Sequence, residues 1–153
     1  MENQQTSTPE IEDPIKELRA KAAEAKARRA DAIAAYERQV EARKLQTEIE
    51  LGEVEAKTGL IAGKTLAVSW APDGRAVACK APDVLVYEAY RRQVATDQEL
   101  DPKNMHAIVD PNRVYPSSVE AMAVFTEYPQ ILELSAVRCA SLCCEREEDR
   151  RGK

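Results

Sequence analysis

The spacing of apolar and polar positions changes several times along the chain, and each change predicts an element. Asp13-Pro14 supplies an N-cap oxygen followed by proline at the first helical position, and neither Pro nor Gly recurs until Gly52. This predicts one long helix over 15–57. Its apolar seam is imperfect. Ile15, Leu18, Ala22 and Ala25 keep coiled-coil spacing, whereas Ile33, Val40, Thr47 and Val54 follow a heptad out of phase with them, so a stutter falls near 29. Leu66, Val68 and Trp70 then alternate with Ala67, Ser69 and Ala71 before Pro72-Asp73-Gly74, and Val77 and Cys79 alternate with Ala76 and Ala78 beyond it. Proline presets φ, aspartate bonds its own backbone and glycine accepts a positive φ, so the segment 65–80 reads as a β-hairpin. A hairpin is marginal alone in water, and the face bearing Trp70 is expected to lie on the helices that follow.

Those helices are short. Pro82-Asp83 opens one over 83–96 in which Val84, Leu85, Tyr87, Tyr90 and Val94 form a broad inner face. The polar link TDQELDPKN leads to a helix carrying Met105, Ile108 and Val109, expected to close at Asp110-Pro111-Asn112. Val114-Tyr115-Pro116 is extended, because Pro116 restricts the residue before it. Ser117 and Glu120 have capping-box spacing ahead of Ala121, Met122, Val124 and Phe125. Tyr128-Pro129 breaks that helix and starts the last, through Ile131, Leu132, Leu134, Val137 and Leu142. The expected fold is mainly α: a long coiled-coil-like helix, a β-hairpin and a small bundle of short helices. Its parts are a disordered tail over 1–14, the helix 15–57, a small domain over 64–144 and a frayed charged tail over 145–153. Trp70, Leu85, Val109, Tyr115, Phe125, Leu132 and Leu134 are the expected core of the small domain.

Composition narrows the function. Twenty-two Lys and Arg against 27 Asp and Glu give 153 residues a net charge of -5, a poor profile for a phosphate-backbone binder, so nucleic acid is not an expected ligand. No window approaches the roughly 18 apolar residues of a membrane span, and the first thirteen residues lack a signal-peptide pattern. No membrane contact is expected, and the expected compartment is the cytoplasm. Aromatics at 5% and charged residues at 32% point to a thin core and long exposed helix, as in a protein that works with partners. Lys16, Arg19, Lys21, Lys26, Arg28 and Arg29 load the first half of the long helix, and Glu48, Glu50, Glu53 and Glu55 its end. That order opposes the helix dipole, and an antiparallel partner or second copy along 15–57 would offset the cost.

Candidate chemistry is sparse. Cys139 and Cys143 share a helical face, but no second cysteine pair completes a zinc site, and buried thiols that only pack are the simpler reading. Gly59 to Thr65 ends in Gly-Lys-Thr but has three residues between its glycines, where a P-loop needs four, and stands between helix and strand in the wrong order. His106 is the single histidine, with no Ser or Cys beside it in a nucleophile motif. No catalytic residue, metal or cofactor is assigned, and an enzyme is not expected.

Taken in order, the Asp-Gly hairpin, the helix from Ala81-Pro82-Asp83 to Tyr90-Arg91-Arg92, the extended Arg113-Val114-Tyr115-Pro116, the capped helix through Phe125, and Glu127-Tyr128-Pro129 before an aliphatic closing helix form one pattern. Over about 65–144 it resembles the small tail assembly chaperones of long-tailed bacteriophages. Two features depart from that pattern: Arg113 stands where such chaperones often carry a small residue or Cys, and the long helix has no counterpart. The resemblance implies a non-enzymatic protein of the host cytoplasm that coats a long, aggregation-prone tape-measure protein during tail assembly. Leu85, Tyr87, Tyr90, Tyr115, Phe125, Tyr128 and Leu132 are then the candidate partner-binding residues. The alternative is a structural or adaptor protein whose long helix forms a permanent coiled coil in a virion or another assembly.

Overall fold

The computed structural model describes residues 13–96 and 101–152. The expected disordered tail lies outside these apart from Asp13 and Pro14, as does part of the polar link after Thr96. The element order is α1 (Pro14–Thr58), β1 (Leu66–Trp70), β2 (Ala76–Lys80), α2 (Val84–Thr96), α3 (Pro102–Asn112), β3 (Arg113–Tyr115), α4 (Ser118–Glu127) and α5 (Pro129–Arg151). The protein is mainly α, with a long N-terminal helix as the sequence implies. The chain divides into two compact units, residues 1–39 and 40–153.

The first unit, over its described residues, is helix alone. Asp13 Oδ1 accepts from Ile15 N at 3.0 Å, and Glu17–Lys21 and Glu24–Arg28 pair at 2.6 Å along the exposed surface. Ile15, Leu18, Ile33 and Tyr36 are all exposed.

The second unit is built around a three-stranded antiparallel sheet in the order β1-β2-β3. The hairpin pairs Leu66 with Lys80 through to Trp70 with Ala76. The segment read only as extended, 113–115, adds the third strand, with an irregularity in register beside Ala78 and Cys79. That makes β2 the central strand, buried on both faces at its first four residues. Ala76 and Ala78 face one cluster, with Leu51, Leu66, Val68, Trp70, Val114 and Tyr115. Val77 and Cys79 face the other, with Tyr90, Met105, Ile108, Val109, Val124, Phe125, Leu132 and Cys139.

This arrangement corrects the expected orientation of the hairpin. Trp70 is half-buried on the α1 side, where Lys44 Nζ sits 5.8 Å from its ring, and not on the later helices. Alternation gives the reason. Ala67, Ser69 and Ala71 share the opposite face of β1, and such small side chains let α5 approach closely enough for Arg138 Nη1 to bond Val68 O. Among the described residues, the buried hydroxyls of Ser69 and Ser135 have no hydrogen-bond partner, at a cost of about 1–3 kcal/mol each.

Three of the four later heptad residues of the long helix are covered, wholly or in part, within the second unit, and the fourth, Ile33, is exposed. Thr47 and Leu51 are buried and Val40 and Val54 half-buried in the second unit, where Thr47 Oγ1 donates to Gly74 O at 2.9 Å. Gly59 ends the helix with φ 71° and bonds Glu55 O at 2.9 Å, as a C-cap glycine does.

Other expectations need adjustment. Helix α2 buries only Tyr90, with Val86 packed beside it; Val84, Val94 and, at 76% exposure, Leu85 face solvent. Its inner face is therefore a narrow i, i+4 line, and Leu85 is not core. Tyr115 and Leu134 are half-buried, whereas Val109, Phe125 and Leu132 are buried as expected. Helix α3 runs through Pro111 and closes at Asn112, within the expected Asp110-Pro111-Asn112, and Asn112 Nδ2 donates to Ile108 O at 2.8 Å in the last turn. The Ser117 cap is as read, accepting from Glu120 N at 3.4 Å. Helix α5 runs to Arg151, into the segment expected to fray.

Candidate partner-binding surfaces

The turn of the hairpin is pinned by ions. Asp73 Oδ1 accepts from Arg75 N at 3.0 Å and Oδ2 from Arg75 Nε at 2.7 Å, with Arg43 Nη1 at 3.3 Å. Arg75 Nη2 reaches Glu127 Oε2 at 2.6 Å, and its guanidinium lies 5.9 Å from the Tyr128 ring. Residues from α1, the turn and the end of α4 are thus held by one linked network. Burial pushes the Asp73 carboxyl up, but the hydrogen bonds and charges of Arg75, with the charge of Arg43, outweigh it and hold the carboxyl below its ordinary value. A depressed acid contributes stability in full above its unfolded pKa, about 4, and loses it as pH falls through the lower folded value. Asp73→Asn should therefore lower the melting temperature at neutral pH, with the gap to wild type narrowing as pH falls below about 4. Melting curves across that range check this; a gap independent of pH would show that charge is not what Asp73 supplies.

Beside this network lies a cleft of about 280 Å³ lined by Arg43, Gln46, Glu50, Tyr115 and Glu120 among others. Tyr115 Oη donates to Glu50 Oε2 at 2.5 Å. Burial and that bond push the Tyr115 phenol up to about 12, while the same bond holds Glu50 below the usual glutamate value. Tyr115 is therefore a strut between β3 and α1, with its hydroxyl already engaged.

Two further grooves are mostly apolar. One, about 310 Å³, runs between α2 and α5 and is lined by Tyr87, Tyr90, Val94, Val137, Ala140 and Cys144. The other, about 460 Å³, lies among α3, α4 and the start of α5, where Met105, His106, Met122, Phe125 and Leu132 form its wall. The seven candidate residues are thus distributed. Tyr87 and Tyr90 share the first groove, Phe125 and Leu132 the second, Tyr115 belongs to the cleft, Tyr128 backs the ion network, and Leu85 stands in solvent. Val94, Val137 and Met122 complete the grooves. Sequence order could not select the last two, since each sits on a face that reads as either core or surface until the neighbouring helix is placed.

The groups with chemical potential mostly pack or bond to neighbours, with Cys144 exposed. Cys79 and Cys139 are buried, and a hydrogen bond between them together with burial pushes the Cys139 thiol far up. Cys139 Sγ donates to Lys80 O at 3.3 Å, Cys143 Sγ to Pro82 O at 3.4 Å, and Cys144 Sγ meets Tyr87 Oη at 3.1 Å. Bonds to carbonyls favour the neutral thiol over the nucleophilic thiolate. His106 Nδ1 lies 3.2 Å from Asp110 Oδ1, with its ring edge-on to Phe125 at 5.7 Å. Among the described residues, no group of three or more His, Cys, Asp or Glu side chains converges as a metal site would require, and no helix is long and apolar enough to cross a membrane. Comparison of the chain with protein-family models, curated proteins and solved structures finds no match.

Proposed function

We propose that this protein is a non-enzymatic tail assembly chaperone of a long-tailed bacteriophage, acting in the host cytoplasm to bind a tape-measure protein and keep it from aggregating. The observation that carries this reading is the pair of open apolar grooves along α5, each of a size to take side chains from one face of an amphipathic helix. Val94 and Val137 stay 41% and 46% exposed in one, and Met122 46% in the other, so apolar surface is left for a partner to cover. Methionine and aliphatic walls suit a long partner whose sequence varies along its length, because such surfaces repack easily. The resemblance in the order and punctuation of 65–144 points the same way.

The test is co-expression with a tape-measure protein. Its soluble fraction should rise with the wild-type chain and fall back when Val94→Glu and Val137→Glu are combined, while the melting temperature of the variant stays near that of wild type because both sites are exposed. A double variant that solubilises as well as wild type would remove the α2–α5 groove from the account.

A further inference from the structure

We infer that residues 14–39 form an antiparallel, two-fold symmetric helix pair with the same segment of a second copy. Four large apolar side chains stand exposed on this stretch: Ile15 (55%), Leu18 (66%), Ile33 (48%) and Tyr36 (55%). Ile33 follows Ile15, and Tyr36 follows Leu18, by eighteen residues, which is five turns of a helix with 3.6 residues per turn, so the four lie on one face. They are also symmetric about the point between Ala25 and Lys26. Turning a second copy end for end about that point sets Ile15 against Tyr36 and Leu18 against Ile33 at both ends of the contact. An isologous interface requires this self-complementarity.

The charges favour the same arrangement. In that register each charged residue from Lys16 to Asp31 stands level with an alanine of the second copy. No two like charges stand level, although Lys26 and the second copy's Lys26 lie one residue apart at the two-fold point. The small side chains let the two backbones come close while the stems of Lys26 and Arg29 lie along them and carry their charged ends outward to solvent. A parallel pair in register would set Lys26 against Lys26 and Arg29 against Arg29, which is repulsive. The basic end, Lys16, Arg19 and Lys21, also meets the end that carries Asp31 and Glu37. The acidic stretch 48–55 is a poorer mate for it, because Thr47 and Leu51 on its apolar face are already buried within the second unit. This inference does not rest on the chaperone reading.

The experiment is sedimentation equilibrium on the full chain and three variants over a concentration series. Wild type should approach twice the 17.0 kDa chain mass. Leu18→Lys alone and Ile33→Glu alone should each shift it to the monomer mass, since either places a charge against an apolar side chain. The double variant Leu18→Lys, Ile33→Glu should regain the dimer, because the introduced lysine of one copy then meets the introduced glutamate of the other. A monomeric wild type overturns the proposal and leaves the stripe to a different partner. A dimer unaffected by either single change overturns it by placing the contact elsewhere. Loss in both singles without recovery in the double overturns the antiparallel register.

Discussion

Gly74→Ala is expected to lower the stability of the second unit by about 3 kcal/mol or more, among the larger effects of any single methyl group in the chain. Gly74 has φ 92°, a conformation that costs an L-residue about 1–2 kcal/mol in the left-handed region. A Cβ there would also stand 2.6 Å from Val40 O and 2.8 Å from Lys44 N. Both contacts are to the backbone of α1, which cannot rotate away as a side chain can. The helix must lift from the turn, and doing so breaks the Thr47 Oγ1 bond to Gly74 O and weakens the Arg43 link to Asp73. A fall in melting temperature of about 10 °C follows from the usual entropy of unfolding for a domain of this size. Gly52→Ala is the matched control: nothing lies within 4 Å of its Cβ position, and alanine in a helix interior is favoured over glycine by about 0.5–1 kcal/mol. One substitution should therefore destabilise and the other stabilise. Two equal effects would mean that the helix does not rest on the turn.

Ile108→Ala should cost about 2–5 kcal/mol, with Leu85→Ala within about 0.5 kcal/mol of wild type. Ile108 is fully buried in the larger cluster beside Val109 and Cys139, and truncating it leaves a cavity that close-packed neighbours fill only in part. Leu85 is as large, but its side chain faces water, so its loss removes little buried surface. Chemical denaturation of both variants separates the two cases. Equal costs would place α2 deeper in the bundle than its single buried residue, Tyr90, indicates.

Local signals carried much of this fold. Asp13-Pro14, Ser117 with Glu120, Pro129 and the Pro-Asp-Gly turn act within a few residues, and each starts or stops an element where the sequence places it. What local pattern could not decide was which face meets which neighbour. The alternation of β1 separates Trp70 from Ser69 without saying that the small face takes the helices and the large one takes α1. On α2, two overlapping apolar lines exist, and only the positions of α3 and α5 select the one through Val86 and Tyr90. The third strand was hidden because Arg113 to Tyr115 is three residues long and pairs with β2 across more than thirty residues of chain. The candidate surfaces were legible as residue types and not as places: Tyr87 with Tyr90 and Phe125 with Leu132 assemble into grooves, while Tyr115 turns inward to Glu50. The ion network was not legible at all, since Arg43, Asp73 and Glu127 meet through Arg75 from distant parts of the sequence.

The chaperone reading is tested most directly by diluting a denatured tape-measure protein into buffer with and without an equimolar amount of the purified chain and following light scattering. The account predicts that scattering is suppressed and that a soluble complex of the two proteins elutes together on gel filtration. Scattering that rises equally in both cases, with no complex, would contradict it.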